Sequence, residues 1–97
     1  MWLKRYIDEN KYILLLSSYD VSYLNNIDYN KFIKVYNVFK ANNFYFIDDI
    51  ILNYLEIFEI DDNIVRNKLM ILKRSLGENY VYLIGNDMRL LEFILKK

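Results

Sequence analysis

The sequence predicts an all-α fold, a compact bundle of five or six short helices, on three observations. Apolar residues recur at helical spacing in successive segments. The second half of the chain repeats the apolar pattern of the first at a fixed offset. No linker or low-complexity tract divides the 97 residues, so they read as one domain near the small end of the range. Apolar residues make up 55% and charged residues 27%, a globular balance rather than a disordered one.

The offset is 33 residues. Asp28-Tyr29-Asn30-Lys31-Phe32-Ile33 is matched by Asp61-Asp62-Asn63-Ile64-Val65-Arg66. Asp28 falls on Asp61, Asn30 on Asn63, Phe32 on Val65, Tyr36 on Leu69, Phe39 on Leu72 and Lys40 on Lys73; further on, Ile51 falls on Ile84, Ile57 on Leu90 and Phe58 on Leu91. Four pairs are identities, and the apolar positions stay in phase over about 30 residues, as stacked helical repeats require. The units are residues 28–60 and 61–95, preceded by an N-terminal helix and connection over residues 1–27.

In chain order, residues 2–16 read as a first helix, with Leu3, Tyr6, Ile7 and Leu14 at helical spacing. Residues 12–16 are ambiguous, since so short an apolar run fits a buried strand almost as well. Residues 17–26 are rich in turn formers and predict a connection with one helical turn around residues 21–24. Asp28 is an N-cap, and Phe32, Val35, Tyr36 and Phe39 form one apolar face behind it, with Lys31, Lys34 and Lys40 on other faces. Asn42 or Asn43 supplies the left-handed residue that ends this helix.

Ile47, Ile50, Ile51, Tyr54, Leu55 and Phe58 predict a third helix, the most apolar, at the centre of the core. Asp48 and Asp49 lie in its first turn, toward the positive end of the helix dipole. Asp61 or Asp62 caps a fourth helix, with Val65, Leu69, Leu72 and Leu76 facing inward and Gly77 at its C-cap. Residues 80–84 suit a short helix or a strand. Asn86 or Asp87 starts a last helix through Met88, Leu91 and Leu95, closing with Lys96 and Lys97.

Composition narrows the chemistry. There is no Cys and no His, which removes disulfides, thiol nucleophiles, the commonest general base and the commonest transition-metal ligand. Pro is absent, and Gly77 and Gly85 cannot build a phosphate-cradling loop. No catalytic motif with a fold-independent signature occurs, so the expectation is a non-enzyme without cofactor or metal. Lys4 and Arg5 precede an apolar run, but Asp8, Glu9, Asn10 and Lys11 interrupt it, leaving too little for a signal peptide or a membrane span. The chain is expected to be cytoplasmic and to have no membrane partner.

Within each unit a helix ending Phe39-Lys40 or Leu72-Lys73 leads through a polar or Gly turn into a second apolar helix. This pattern resembles the repeat of the mitochondrial transcription termination factor family, and Leu72-Lys73-Arg74-Ser75-Leu76-Gly77 carries the nearest likeness, with Ile84 and Leu90-Leu91 at the later hydrophobic positions. The resemblance covers residues 28–95 and implies stacked three-helix repeats that grip duplex nucleic acid. The chain departs from that family in lacking Pro and in its zero net charge.

Three sets of residues are candidates for function. From Ala41 to Val65 there are six acids and no base (Asp48, Asp49, Glu56, Glu59, Asp61, Asp62), whereas seven bases stand against three acids from Arg66 onward. Such a charge split orients a partner without choosing its class; helix capping is the plainer account of Asp48, Asp49, Asp61 and Asp62. Arg66 and Lys73, like Asn67 and Arg74, lie seven apart and form a polar stripe that could track phosphates, although the wet face of an amphipathic helix looks the same. Ten Tyr exceed ordinary usage, and Tyr12, Tyr19, Tyr23, Tyr29, Tyr45 and Tyr82 fall outside the core stripes or in connections. Tyr suits interfaces because it joins a large rigid ring to a polar tip; AT-rich codon usage produces Tyr as well.

The first expectation is therefore a protein-binding module, an inhibitor, adaptor or immunity-type factor from a phage or mobile element, with those tyrosines and Asp48, Asp49, Glu56 and Glu59 at its interface. The alternative is a nucleic-acid-binding helical repeat using Arg66, Asn67, Lys73 and Arg74. A self-assembling homo-oligomer is the third.

Overall fold

A computed structural model describes residues 1–96, and every regular element among them is helical. The α-helices are α1 (Glu9–Ser18), α2 (Val21–Asn25), α3 (Tyr29–Ala41), α4 (Ile47–Asn53), α5 (Asp62–Leu76), α6 (Tyr80–Asn86) and α7 (Glu92–Leu95). Three 3-10 turns, Trp2–Arg5, Leu55–Glu59 and Met88–Leu91, fill the joints. The radius of gyration is 13.1 Å, as expected for a packed chain of this length.

Aspartates start these helices. Asp8, Asp20, Asp28 and Asp61 each accept a hydrogen bond from the backbone N–H two residues on, at 3.2, 3.3, 2.9 and 2.8 Å. Each satisfies a first-turn amide that has no partner within its helix. At the C-terminal ends, Asn43 (φ 63°) follows α3 and Gly77 (φ 90°) follows α5, both in the left-handed region such stops use.

One element order occurs twice. A long helix, a seven-residue helix and a 3-10 turn start at residues 29, 47 and 55, and again at 62, 80 and 88, each 33 residues later. The two copies share one core. Phe32, Val35 and Phe39 of α3 share the core with Leu55, Ile57 and Phe58 of the turn Leu55–Glu59 and with Val65 and Leu69 of α5; all are essentially inaccessible. Phe58 is the hub, stacked on Phe32 at 4.9 Å and tilted against Phe39 at 5.6 Å. Such ring pairs add to the burial of their area.

Several boundaries differ from expectation. Residues 2–16 are not one helix: Asp8 caps α1 and leaves Trp2–Arg5 as a separate turn. Leu3 and Ile7 are buried, but Leu14 points outward and is 54% exposed. Residues 17–26 are mostly helical, since α1 runs to Ser18 and Asp20 caps α2. The segment from Ile47 to Phe58 breaks at Tyr54 (φ −138°, ψ 48°), and the tighter 3-10 winding beyond it buries Ile57 together with Leu55 and Phe58. Tyr54 itself stays half exposed and donates its hydroxyl to Glu92. Residues 12–16 and 80–84 are both helical. The last helix opens as the turn Met88–Leu91 before α7; Lys96 follows α7, and Lys97 lies outside the described residues.

Candidate functional site

Helix α1 is built the wrong way round for a surface helix. Its packed side consists of Lys11, Tyr12, Leu15 and Tyr19, of which Leu15 alone is fully buried. Outward stand Ile13 (55% exposed), Leu14 (54%) and Leu16 (39%), continued by Val21 (54%) at the start of α2. The cause is in the sequence: residues 12–16 are apolar at five consecutive positions, and successive helical positions turn by about 100°, so a body on one side can cover only some of them.

Polar contacts hold this inverted helix in place. The Asp8 backbone N–H donates to Asp48 Oδ2 at 2.9 Å, and Lys11 Nζ pairs with Asp49 Oδ1 at 3.0 Å. The Asp49 carboxylate holds the Lys11 ammonium above its ordinary pKa. The Tyr23 hydroxyl donates to Glu59 at 2.6 Å, and its ring stacks on Tyr19 at 5.6 Å. Burial first, and then Glu59, push the Tyr23 hydroxyl well above the usual phenol range, so it stays a donor. The result is four exposed aliphatic side chains, Ile13, Leu14 and Leu16 on α1 and Val21 just past Asp20 on α2, here called the α1 ridge.

The six candidate tyrosines do not form one surface. Tyr12, Tyr19 and Tyr23 are half-buried on α1 and α2 and pack against the core. Tyr29 stands edge-on to Trp2 at 5.0 Å and shares a hydrogen bond with the Tyr6 hydroxyl. Tyr45 and Tyr82 are the most exposed and line one depression. The acids also divide. Asp48, Asp49 and Glu59 make the contacts to α1 and α2 just described, while Glu56 remains exposed. Asp61 caps α5, but Asp62 pairs with Arg66, and α4 has no side-chain cap at all, so capping explains fewer of these acids than expected.

The basic stripe lies on α5. Arg66 bonds Asn63 at 2.8 Å and reaches Asp62 at 3.4 Å, and Lys73 lies 3.9 Å from Glu78. Asn67 and Arg74 are exposed, and Arg74 makes no ion pair among the described residues. Arg66, Lys73 and Arg74 line a depression of about 220 Å³. It adjoins one of about 530 Å³ that carries Tyr45 and Tyr82, with Asn42, Lys73 and Tyr80 common to both. Between them the Tyr80 hydroxyl donates to Asn42 Oδ1 at 3.1 Å, and burial raises the Tyr80 pKa.

A third depression, of about 430 Å³, runs between α5 and α7. Its apolar lining comes from Ile71, Leu72, Leu76, Leu90 and Phe93, with Arg89 and Lys96 at the edge. Lys68 Nζ sits 4.4 Å over the Phe93 ring. Sequence reasoning missed both this groove and the α1 ridge. The ridge had a signal in the unbroken run Ile13-Leu14-Leu15-Leu16, too apolar all round for one packed face.

Among the described residues no three His, Cys, Asp or Glu side chains gather to hold a metal ion, and no charged side chain is buried. No helix among them is long and apolar enough to cross a membrane. No family model, curated protein or solved structure matches the chain.

Proposed function

We propose that this chain is a non-catalytic protein-binding module, of inhibitor or adaptor type, whose contact surface is the outward face of α1 and the start of α2. The carrying observation is that Ile13, Leu14 and Leu16 of α1 and Val21 of α2 stand exposed on two helices held by Asp48 and Asp49, which contact the start of α1, and by Glu59, which accepts from Tyr23 of α2. Single exposed apolar side chains need no explanation; what this reading rests on is four aliphatic ones exposed within residues 13–21. Burying an aliphatic side chain contributes about 1.5–3 kcal/mol, and less for these because each is already partly covered. That offsets only part of the cost of association, on the order of 4–15 kcal/mol, so the partner must also engage nearby charged residues such as Glu9 and Asp20. Ile13→Asp with Leu16→Asp, both at exposed positions, should abolish capture of the partner without shifting the thermal midpoint. Undiminished capture by that variant removes the reading.

A second reading is nucleic-acid binding, and one observation favours it: Lys73 and Arg74 flank adjoining depressions that also carry exposed Tyr45 and Tyr82. Cations beside flat aromatic rings suit a strand whose phosphates pair and whose bases stack. The resemblance of residues 28–95 to the mitochondrial transcription termination factor repeats points the same way. Affinity would then fall steeply with salt, and Lys73→Glu with Arg74→Glu would abolish it. Binding that ignores both changes contradicts this reading.

A further inference from the structure

Gly85 is a poor residue for its position. It lies inside α6 with no positive φ, so the backbone does not require it, and glycine is among the weakest helix formers. The residue 33 positions earlier is Leu52, packed against the core. What Gly85 admits is Tyr45: a Cβ there would lie 2.8 Å from the Tyr45 hydroxyl oxygen and 3.1 Å from the Phe46 ring. Tyr45 is 71% exposed, yet its ring is seated, edge-on to Phe46 at 4.9 Å and with its hydroxyl over the bare backbone of α6. Tyr82 precedes Gly85 by three residues and so shares its side of α6, and both tyrosines line the depression of about 530 Å³. The adjoining depression is lined by Arg66, Lys73 and Arg74 and, among the described residues, by no acid. Asp62 and Asn63 hold Arg66, and the exposed Glu78 reaches Lys73 only at 3.9 Å; Arg74 makes no ion pair among the described residues.

We infer, resting on the nucleic-acid reading of this surface, that it takes an unpaired strand and not a duplex. Bases lie on Tyr45 and Tyr82, phosphates pair with Lys73 and Arg74, and Gly85 is the positioning residue that seats the Tyr45 ring. Exposed ring faces serve only bases whose own faces are free, and a duplex hides those by stacking. The duplex grip implied by the resemblance to the mitochondrial transcription termination factor repeats would leave both rings without a task. The stretch from Arg66 to Arg74 covers about 12 Å of helix, the length of roughly three to four stacked nucleotides, so it suits a strand better than a single nucleotide.

Fluorescence anisotropy tests this with a labelled oligothymidylate, the same strand annealed to oligodeoxyadenylate, an abasic strand of equal length, and thymidine monophosphate. The oligothymidylate should bind at least about tenfold more tightly than the other three, and less tightly as salt rises. Tyr45→Ala and Tyr82→Ala, both at exposed positions, should each weaken it by about tenfold with native circular dichroism. Gly85→Ala should do the same by displacing the Tyr45 ring. Tyr45→Phe should bind as the native chain does. Added to Gly85→Ala it should restore much of the loss, because it removes the hydroxyl that the new methyl group meets. A glycine needed only for the packing of α6 gives no such rescue, and a loss that Tyr45→Phe leaves in place overturns the role of Gly85. A duplex, an abasic strand or thymidine monophosphate bound as tightly as the oligothymidylate overturns the inference while leaving nucleic-acid or nucleotide binding in place. Displacement of the strand by poly-glutamate at equal charge also overturns it, since any polyanion would then serve. Binding of none of these probes removes the nucleic-acid reading together with the inference.

Discussion

Asp28 and Asp61 hold corresponding places in the two units, and each accepts from the amide two residues on. Replacing either with Ala should cost about 1 kcal/mol in urea denaturation, the ordinary value of an N-cap. Gly77 is a different case. Nothing lies within 4 Å of where its Cβ would be, so Gly77→Ala isolates the strain of φ 90°, about 1–3 kcal/mol. Phe58, inaccessible and in contact with two other rings, should cost about 3–5 kcal/mol on truncation to Ala. Tyr23 gives a pH dependence. Its folded pKa is raised, so the contribution is fully present below an unfolded phenol pKa of about 10 and is lost as pH rises through the folded value. Tyr19, Tyr54 and Tyr80 act in the same direction. Stability should therefore decline above about pH 10, and Tyr23→Phe should flatten that decline when unfolding is compared at pH 8 and pH 11.

Elements were legible where one apolar face had one body to lie on. Phe32, Val35 and Phe39 of α3, Val65, Leu69 and Leu72 of α5, the aspartate caps, and the Asn43 and Gly77 stops follow from periodicity and turn chemistry, although Val38 is also buried and Tyr36 and Leu76 are only half-buried; α4 and α6 start 33 residues apart as the apolar phase requires. Elsewhere the period did not decide. Residues 12–16 are apolar all round, so periodicity does not say which of them faces inward; in the structure Leu15 is buried, beside the contacts that Asp48 and Asp49 make to the Asp8 amide and Lys11. The change from α to 3-10 winding at Tyr54 likewise left no sequence signal, because Leu55, Ile57 and Phe58 fit either geometry in part. The candidate acids were found without their task, since a carboxylate that clamps a neighbouring helix and one that awaits a partner look alike in sequence. The clamp predicts a local effect. Asp48→Ala with Asp49→Ala should cost little global stability, because both contacts are partly exposed, yet should speed hydrogen exchange of α1 amides by about tenfold while leaving α3 and α5 unchanged.

Across the whole molecule, zero net charge conceals a division. Acids run through residues 41–65 and bases through the last third, and the fold carries that division into space: acids behind and beside the α1 ridge, bases around the depressions on α5. The charge split was legible from the sequence; the apolar surfaces between the charges were not, because they arise from which faces of α1 and α5 the core leaves uncovered. We propose the outward face of α1 as the place where another protein binds. The most direct measurement is capture from a nuclease-treated lysate of the source cells, with the native chain and the Ile13→Asp/Leu16→Asp variant side by side and their thermal midpoints checked first. The expected result is a discrete protein band retained by the native chain and lost by the equally stable variant. The same band retained in equal amount by both would contradict it.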